Sequence, residues 1–160
     1  MNRRDALKTT GGSTVMALMV SAGLIKPDHA FAQVTPTVEW NKNAFETKNL
    51  NDTVKALGGA TATESKDISF VNVPDIAENG AVVPVGVSSK IPKTEMIAIL
   101  VEKNPNSLSA AFMIPEGTEP AVTTRVKMGQ TSNVHALVKA DGKYFYATKE
   151  IKVTLGGCGG

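Results

Sequence analysis

Ala121-Val122-Thr123-Thr124-Arg125-Val126-Lys127-Met128 alternates in character, with Val122, Thr124, Val126 and Met128 on one side and Thr123, Arg125 and Lys127 on the other. A period of two marks an extended strand with one face in a core and the other in water. Working outward, six more short stretches read as strands, at 67–73, 82–88, 94–102, 108–114, 132–140 and 144–153. Turn chemistry separates them, at Glu78-Asn79-Gly80, Asn104-Pro105-Asn106, Pro115-Glu116-Gly117 and Asp141-Gly142. Residues 96–101 are apolar on both faces, as in a central strand. Pro84, Pro92, Pro115 and Pro120 suit edges and strand starts, where no ladder donor is lost. Short strands with turns roughly every 8–12 residues predict an all-β, immunoglobulin-like antiparallel sandwich. The alternation of strands with helices that a parallel sheet needs is missing.

Ahead of the strands, Trp40 sits in a polar lead, and 43–57 carries Ala44, Phe45, Leu50, Val54 and Leu57 at helical spacing before Gly58-Gly59. This predicts one short helix, with Asn51-Asp52 as the place for a break. Its narrow apolar stripe places it on the outside of something larger.

Residues 1–32 read as a twin-arginine signal peptide. Arg3-Arg4 opens a positively charged start, an apolar run follows over 11–25, and Ala30-Phe31-Ala32 offers small residues for cleavage. The run is shorter than the roughly 20 residues of a membrane span, and the mature chain is expected to begin at Gln33, in the periplasm. Without the four basic and two acidic residues of the leader, the 17 basic and 15 acidic residues become 13 of each. A neutral domain offers no basic surface for nucleic acid or an anionic membrane. Residues 33–155 make one domain. With one cysteine in the chain, that domain must build its core without an internal disulfide.

That cysteine, Cys158, stands between glycine pairs in Gly156-Gly157-Cys158-Gly159-Gly160. A thiolate is the strongest side-chain nucleophile near neutral pH, and glycine removes every Cβ that could hinder it. Cys158 lies three residues beyond Leu155, so the sulfur can stand about 10 Å clear of the body. Residues 156–160 therefore read as a flexible carrier tail that delivers a thiol into another protein's active site. A frayed glycine-rich end is the bland alternative.

Conventional catalytic equipment is missing. His29 leaves with the signal, and His135 falls on the solvent side of its strand. There is no metal-spaced cluster, no G-x-S-x-G and no phosphate-binding glycine loop. Asp75 and Glu78 are explained by turn chemistry. A thiol with neither base nor metal points to a carrier rather than an enzyme, with no cofactor of its own.

The run 74–85, with Ile76-Ala77-Glu78-Asn79-Gly80 at its heart, joins Glu102-Lys103-Asn104-Pro105, Thr124-Arg125-Val126-Lys127-Met128 and the ending Lys152-Val153-Thr154-Leu155 plus the glycine-cysteine tail. Together they resemble the SoxY family, sulfur-carrier subunits of the bacterial thiosulfate-oxidising Sox system. The resemblance covers essentially the whole mature chain, and its tail is the specific part. It implies that Cys158 is the sulfur attachment site. A c-type cytochrome enzyme would load thiosulfate there, a hydrolase would release sulfate, and a sulfane dehydrogenase, where present, would oxidise what remains. It also implies a heterodimer with SoxZ, a smaller sandwich protein exported with its partner. Two other readings stand beside it. Gly159-Gly160 resembles the diglycine end of ubiquitin-like sulfur carriers, although export separates this chain from ATP-dependent activation. An exported structural or adhesion subunit would instead use Cys158 for an intermolecular disulfide.

Overall fold

The computed structural model describes residues 41–154. The expected signal peptide, Trp40 and the tail 156–160 lie outside the described residues.

The helical segment breaks into α1 (Lys42–Phe45) and α2 (Leu50–Ala56). The break falls at 46–49, not at Asn51-Asp52, because two asparagines act as caps. Asn41 Oδ1 accepts from Ala44 N at 3.1 Å and Asn49 Oδ1 from Asp52 N at 2.9 Å. Asn49 is extended, as an N-cap must be, so no helix passes through it. Gly58 N donates to Lys55 O and Gly59 N to Val54 O, the paired bonds of a Schellman ending. Gly58 takes the left-handed conformation this needs, at φ +88°.

The seven expected strands are all present, as β2 (Ile68–Val71), β4 (Val83–Ser89), β5 (Thr94–Val101), β6 (Leu108–Met113), β7 (Ala121–Val126), β8 (Ser132–Ala140) and β9 (Lys143–Val153). Two very short strands join them, β1 (Ala62–Glu64) and β3 (Ile76–Ala77). They form an all-β sandwich of two sheets. The larger runs β1-β9-β8-β5-β6 with β3 also on β9, and the smaller runs β2-β4-β7. All pairings are antiparallel except those of β1 and β3, which lie parallel to β9. The β8–β9 hairpin turns on Asp141-Gly142 at φ +49° and +73°, both left-handed as such a two-residue turn demands.

Between the sheets lies the main core, with Val83, Val85 and Val87 of β4 facing Ile97, Ile99, Val134 and Val138 of the large sheet. A second cluster covers that sheet's other face, where Ala44 and Val54 of the helices meet Met96, Ala98, Leu100 and Leu137. β5 is thus buried on both faces, which is why its sequence does not alternate. Tyr144 ties the layers together by donating its hydroxyl to Leu57 O at 2.6 Å.

Candidate functional site

The site predicted from sequence is Cys158 with Gly156, Gly157, Gly159 and Gly160, and all five lie outside the described residues. What the structure describes is the place from which they depart, the end of β9. This strand is the longest, at 11 residues. β8 pairs with it from Lys143 to Ile151, while β1 takes the first part of its other edge and β3 the last.

Near its end β9 is held from both sides in alternation. Lys152 N donates to Asp75 O at 2.9 Å and Thr154 N to Ala77 O at 3.2 Å on the β3 side. Val153 N donates to Thr131 Oγ1 at 3.0 Å on the other. Thr154 Oγ1 reaches Glu78 O at 3.3 Å. The backbone is therefore fixed as far as Thr154, four residues before the cysteine.

The partners of this strand end come from the segments that carry the family resemblance. Residues 74–85 supply β3 and then the turn, where Asn79 Oδ1 caps Ala81 N at 2.9 Å. Gly80 O accepts from Met128 N at 2.7 Å. A Cβ on Gly80 would strike Met128 O and come within 2.8 Å of Val153 Cγ1, so only glycine lets the turn lie against the strand end. Asn104 donates its side-chain amide to Lys127 O at 2.7 Å, and Lys103 N donates to the buried Ser132 hydroxyl at 3.0 Å. Loops 78–82, 102–106 and 127–131 are thus joined into a collar at one end of the sandwich.

Lys149 clamps the entry to β3. Its ammonium lies 2.9 Å from Asp75 Oδ1 and donates to Val73 O at 3.0 Å. The hydrogen bond from Lys149, and then its charge, hold the Asp75 carboxyl below the usual carboxylate range. Asp75 is fully exposed, so this is a surface pair of modest strength. Asp75 pairs with a lysine, and Glu78 lends its backbone carbonyl to Thr154; they do not act together as acid and base.

His135 departs from its expected place in water. Its side chain is only 14% exposed, because the face of β8 assigned to solvent carries the helical layer. Nδ1 is 2.8 Å from Thr148 Oγ1, Nε2 is 3.7 Å from Glu102 Oε2, and Tyr146 meets the ring edge to face. Burial pushes the imidazole below its ordinary value, and Glu102 partly opposes that. His135 pairs with Thr148, six residues before Thr154, which at about 3.3 Å per residue puts it roughly 20 Å along the strand from Thr154. The imidazole is too distant to act as base at the strand end. Among the described residues, no group of three or more His, Cys, Asp or Glu is placed to hold a metal ion, and no helix is long and apolar enough to cross a membrane.

The family model of the sulfur oxidation protein SoxY matches residues 54–158. The chain belongs to the SoxY family. The matched span begins in α2, takes in both sheets and reaches Cys158. A solved SoxY, the sulfur carrier protein of Chlorobium limicola f thiosulfatophilum, is 36% identical, with a TM-score of 0.57. The alignment covers 65% of this chain and 96% of that one. A superoxide reductase (neelaredoxin) from Ignicoccus hospitalis is 21% identical over 54% of this chain and 80% of its own, at a TM-score of 0.47. Among curated proteins none matches significantly.

Sequence reading missed β3 and the crowding at Gly80. The signal was present in the Ile76 to Gly80 run, but a two-residue strand has no periodicity to detect.

Proposed function

We propose that this SoxY-family protein is a non-catalytic sulfur carrier of the Sox system, and that Cys158 holds the covalent intermediates. One observation carries the reading most: the family match extends from the sandwich to Cys158, the one cysteine of the chain. A body that holds its backbone as far as Thr154 supports it. Four residues give a covalent reach of about 13–14 Å from that point, and the two directly before Cys158 are glycines that add no width.

Loading joins thiosulfate to the thiol. An S–S bond forms between the Cys158 sulfur and the outer sulfur of thiosulfate, the thiol proton leaves, and two electrons pass, one at a time, to the c-type cytochrome enzyme as oxidant. Hydrolysis of the adduct then releases sulfate and leaves a persulfide on Cys158 for a sulfane dehydrogenase where one is present. The carrier works in the periplasm, exported by the twin-arginine route as a heterodimer with SoxZ. Its contacts with each enzyme are weak and transient, because ordering the glycines costs on the order of 1–2 kcal/mol per residue fixed.

The experiment is thiosulfate-dependent cytochrome reduction with purified Sox enzymes, comparing wild type and Cys158→Ser. The variant is expected to support no turnover while melting as wild type does. Undiminished turnover would rule out the cysteine as acceptor.

A further inference from the structure

On the helical side of the large sheet, Glu102 and His135 line a cavity of about 310 Å³ together with Tyr146, Asn49 and Asn51. No lysine or arginine lines it, and the ammonium of nearby Lys48 is held by Asn106 Oδ1 at 3.0 Å. Nε2 of His135 lies 3.7 Å from Glu102 Oε2, beyond hydrogen-bond distance. A carboxylate and an imidazole thus face each other across a gap, and no cationic side chain of the lining stands between them.

Each of the two groups is held from behind. His135 Nδ1 lies 2.8 Å from Thr148 Oγ1, and when Nδ1–H donates to that oxygen, Nε2 keeps its lone pair towards Glu102. Asn133 Nδ2 donates to Glu102 Oε2 at 2.9 Å. Metal ligands are characteristically oriented by such outer hydrogen bonds, which fix the tautomer of the histidine and the plane of the carboxylate. Burial pushes the imidazole below its ordinary value, which favours the neutral ring that a metal binds. The spacing fits as well. Zinc takes imidazole nitrogen at about 2.0–2.1 Å and carboxylate oxygen at about 2.0–2.2 Å. With those lengths, a nitrogen and an oxygen 3.7 Å apart subtend an angle of about 125° at the ion, near the tetrahedral value. Glu102 is 46% exposed, so water can reach the remaining positions.

We propose that His135 Nε2 and Glu102 Oε2 are the protein ligands of a divalent transition-metal site, of the kind that takes zinc, with water completing the shell. An imidazole nitrogen selects such ions over magnesium and calcium, which take oxygen ligands. The bound ion joins the start of loop 102–106 to β8 and braces the helical side of the sheet. It does not involve Cys158, so the site stands or falls independently of the carrier reading.

The test uses the full chain with Cys158→Ser, which removes a thiol that would itself bind zinc. Zinc titration followed by nitrogen NMR of the imidazole rings should shift Nε2 of His135 and leave Nδ1 protonated, while magnesium shifts neither. His29, the other histidine of the chain, gives a separate ring signal. Thr148→Val, which takes away the acceptor for Nδ1–H, should weaken binding at His135 by about tenfold or more. Glu102→Gln, which removes the charged ligand, should abolish saturable binding there. The ring signal of the unsubstituted pair decides the case even where a variant fails to fold. A His135 ring unmoved by excess zinc, metal on Nδ1 in place of Nε2, an equal response to magnesium, or binding undiminished in folded Glu102→Gln would overturn the proposal.

Discussion

Gly80 has no side chain because Met128 O and Val153 Cγ1 occupy the space one would need. Gly80→Ala should therefore destabilise the domain by about 1–3 kcal/mol, the usual cost of overpacking. Gly129→Ala, with nothing within 4 Å of its Cβ position, should change stability by less. Urea denaturation of both variants checks the contrast. His135 makes a second prediction, on pH. Its folded pKa is lowered from 6.5 by burial, so below that value the unfolded chain binds the proton more readily than the folded one. Stability is then complete above 6.5 and falls as pH drops through 6.5 towards the folded value. Melting between neutral and mildly acidic pH should show this loss in wild type and a flatter profile in His135→Gln. A folded pKa at or above 6.5, measured by NMR titration, would contradict it. The sequence placed His135 on the correct face of its strand and missed only that helices cover that face, because the apolar stripe of α2 does not say which strands it meets.

β9 shows what the sequence could and could not disclose about its neighbours. The Asp141-Gly142 turn signal made β9 legible as a strand separate from β8, and the apolar run of β5 announced a strand covered on both sides. β1 and β3 were not legible, since two or three residues carry no period and their parallel pairing comes from tertiary placement alone. The helix break was misplaced because Asn49 serves as a cap, and that depends on an extended backbone at Asn49 itself. The glycine-cysteine segment lies outside the described residues, so its reading rests on residue types alone. If the collar fixes the strand end, Thr131→Val, which removes the acceptor for Val153 N, should cost about 1 kcal/mol. Amide exchange at Val153 and Thr154 should quicken more than in the centre of β9. Equal exchange along the whole strand would show that the collar adds nothing local. A related expectation concerns the glycines. Gly157→Val should slow enzymatic loading far more than alkylation of Cys158 by a small reagent, because a branched side chain beside the thiol hinders passage into a narrow site. Equal losses in the two rates would leave the glycines without that role.

As a molecule, the protein joins a three-layered body, held by backbone bonds as far as Thr154, to a short segment bearing its single cysteine, and the proposed function divides the tasks between them. The body accounts for partner binding in the proposed scheme, and SoxZ should raise its melting temperature, the stabilisation growing with the logarithm of its concentration over the dissociation constant. No shift at saturating SoxZ would contradict the heterodimer. In the same proposed scheme the thiol accounts for the cargo, and intact mass spectrometry tests this most directly. After incubation with thiosulfate and the c-type cytochrome enzyme, the reduced wild-type chain should gain the mass of one thiosulfate group, mapped to Cys158 and removed by a reducing agent, while Cys158→Ser gains nothing. An adduct elsewhere on the chain, or the same gain in Cys158→Ser, would contradict the account.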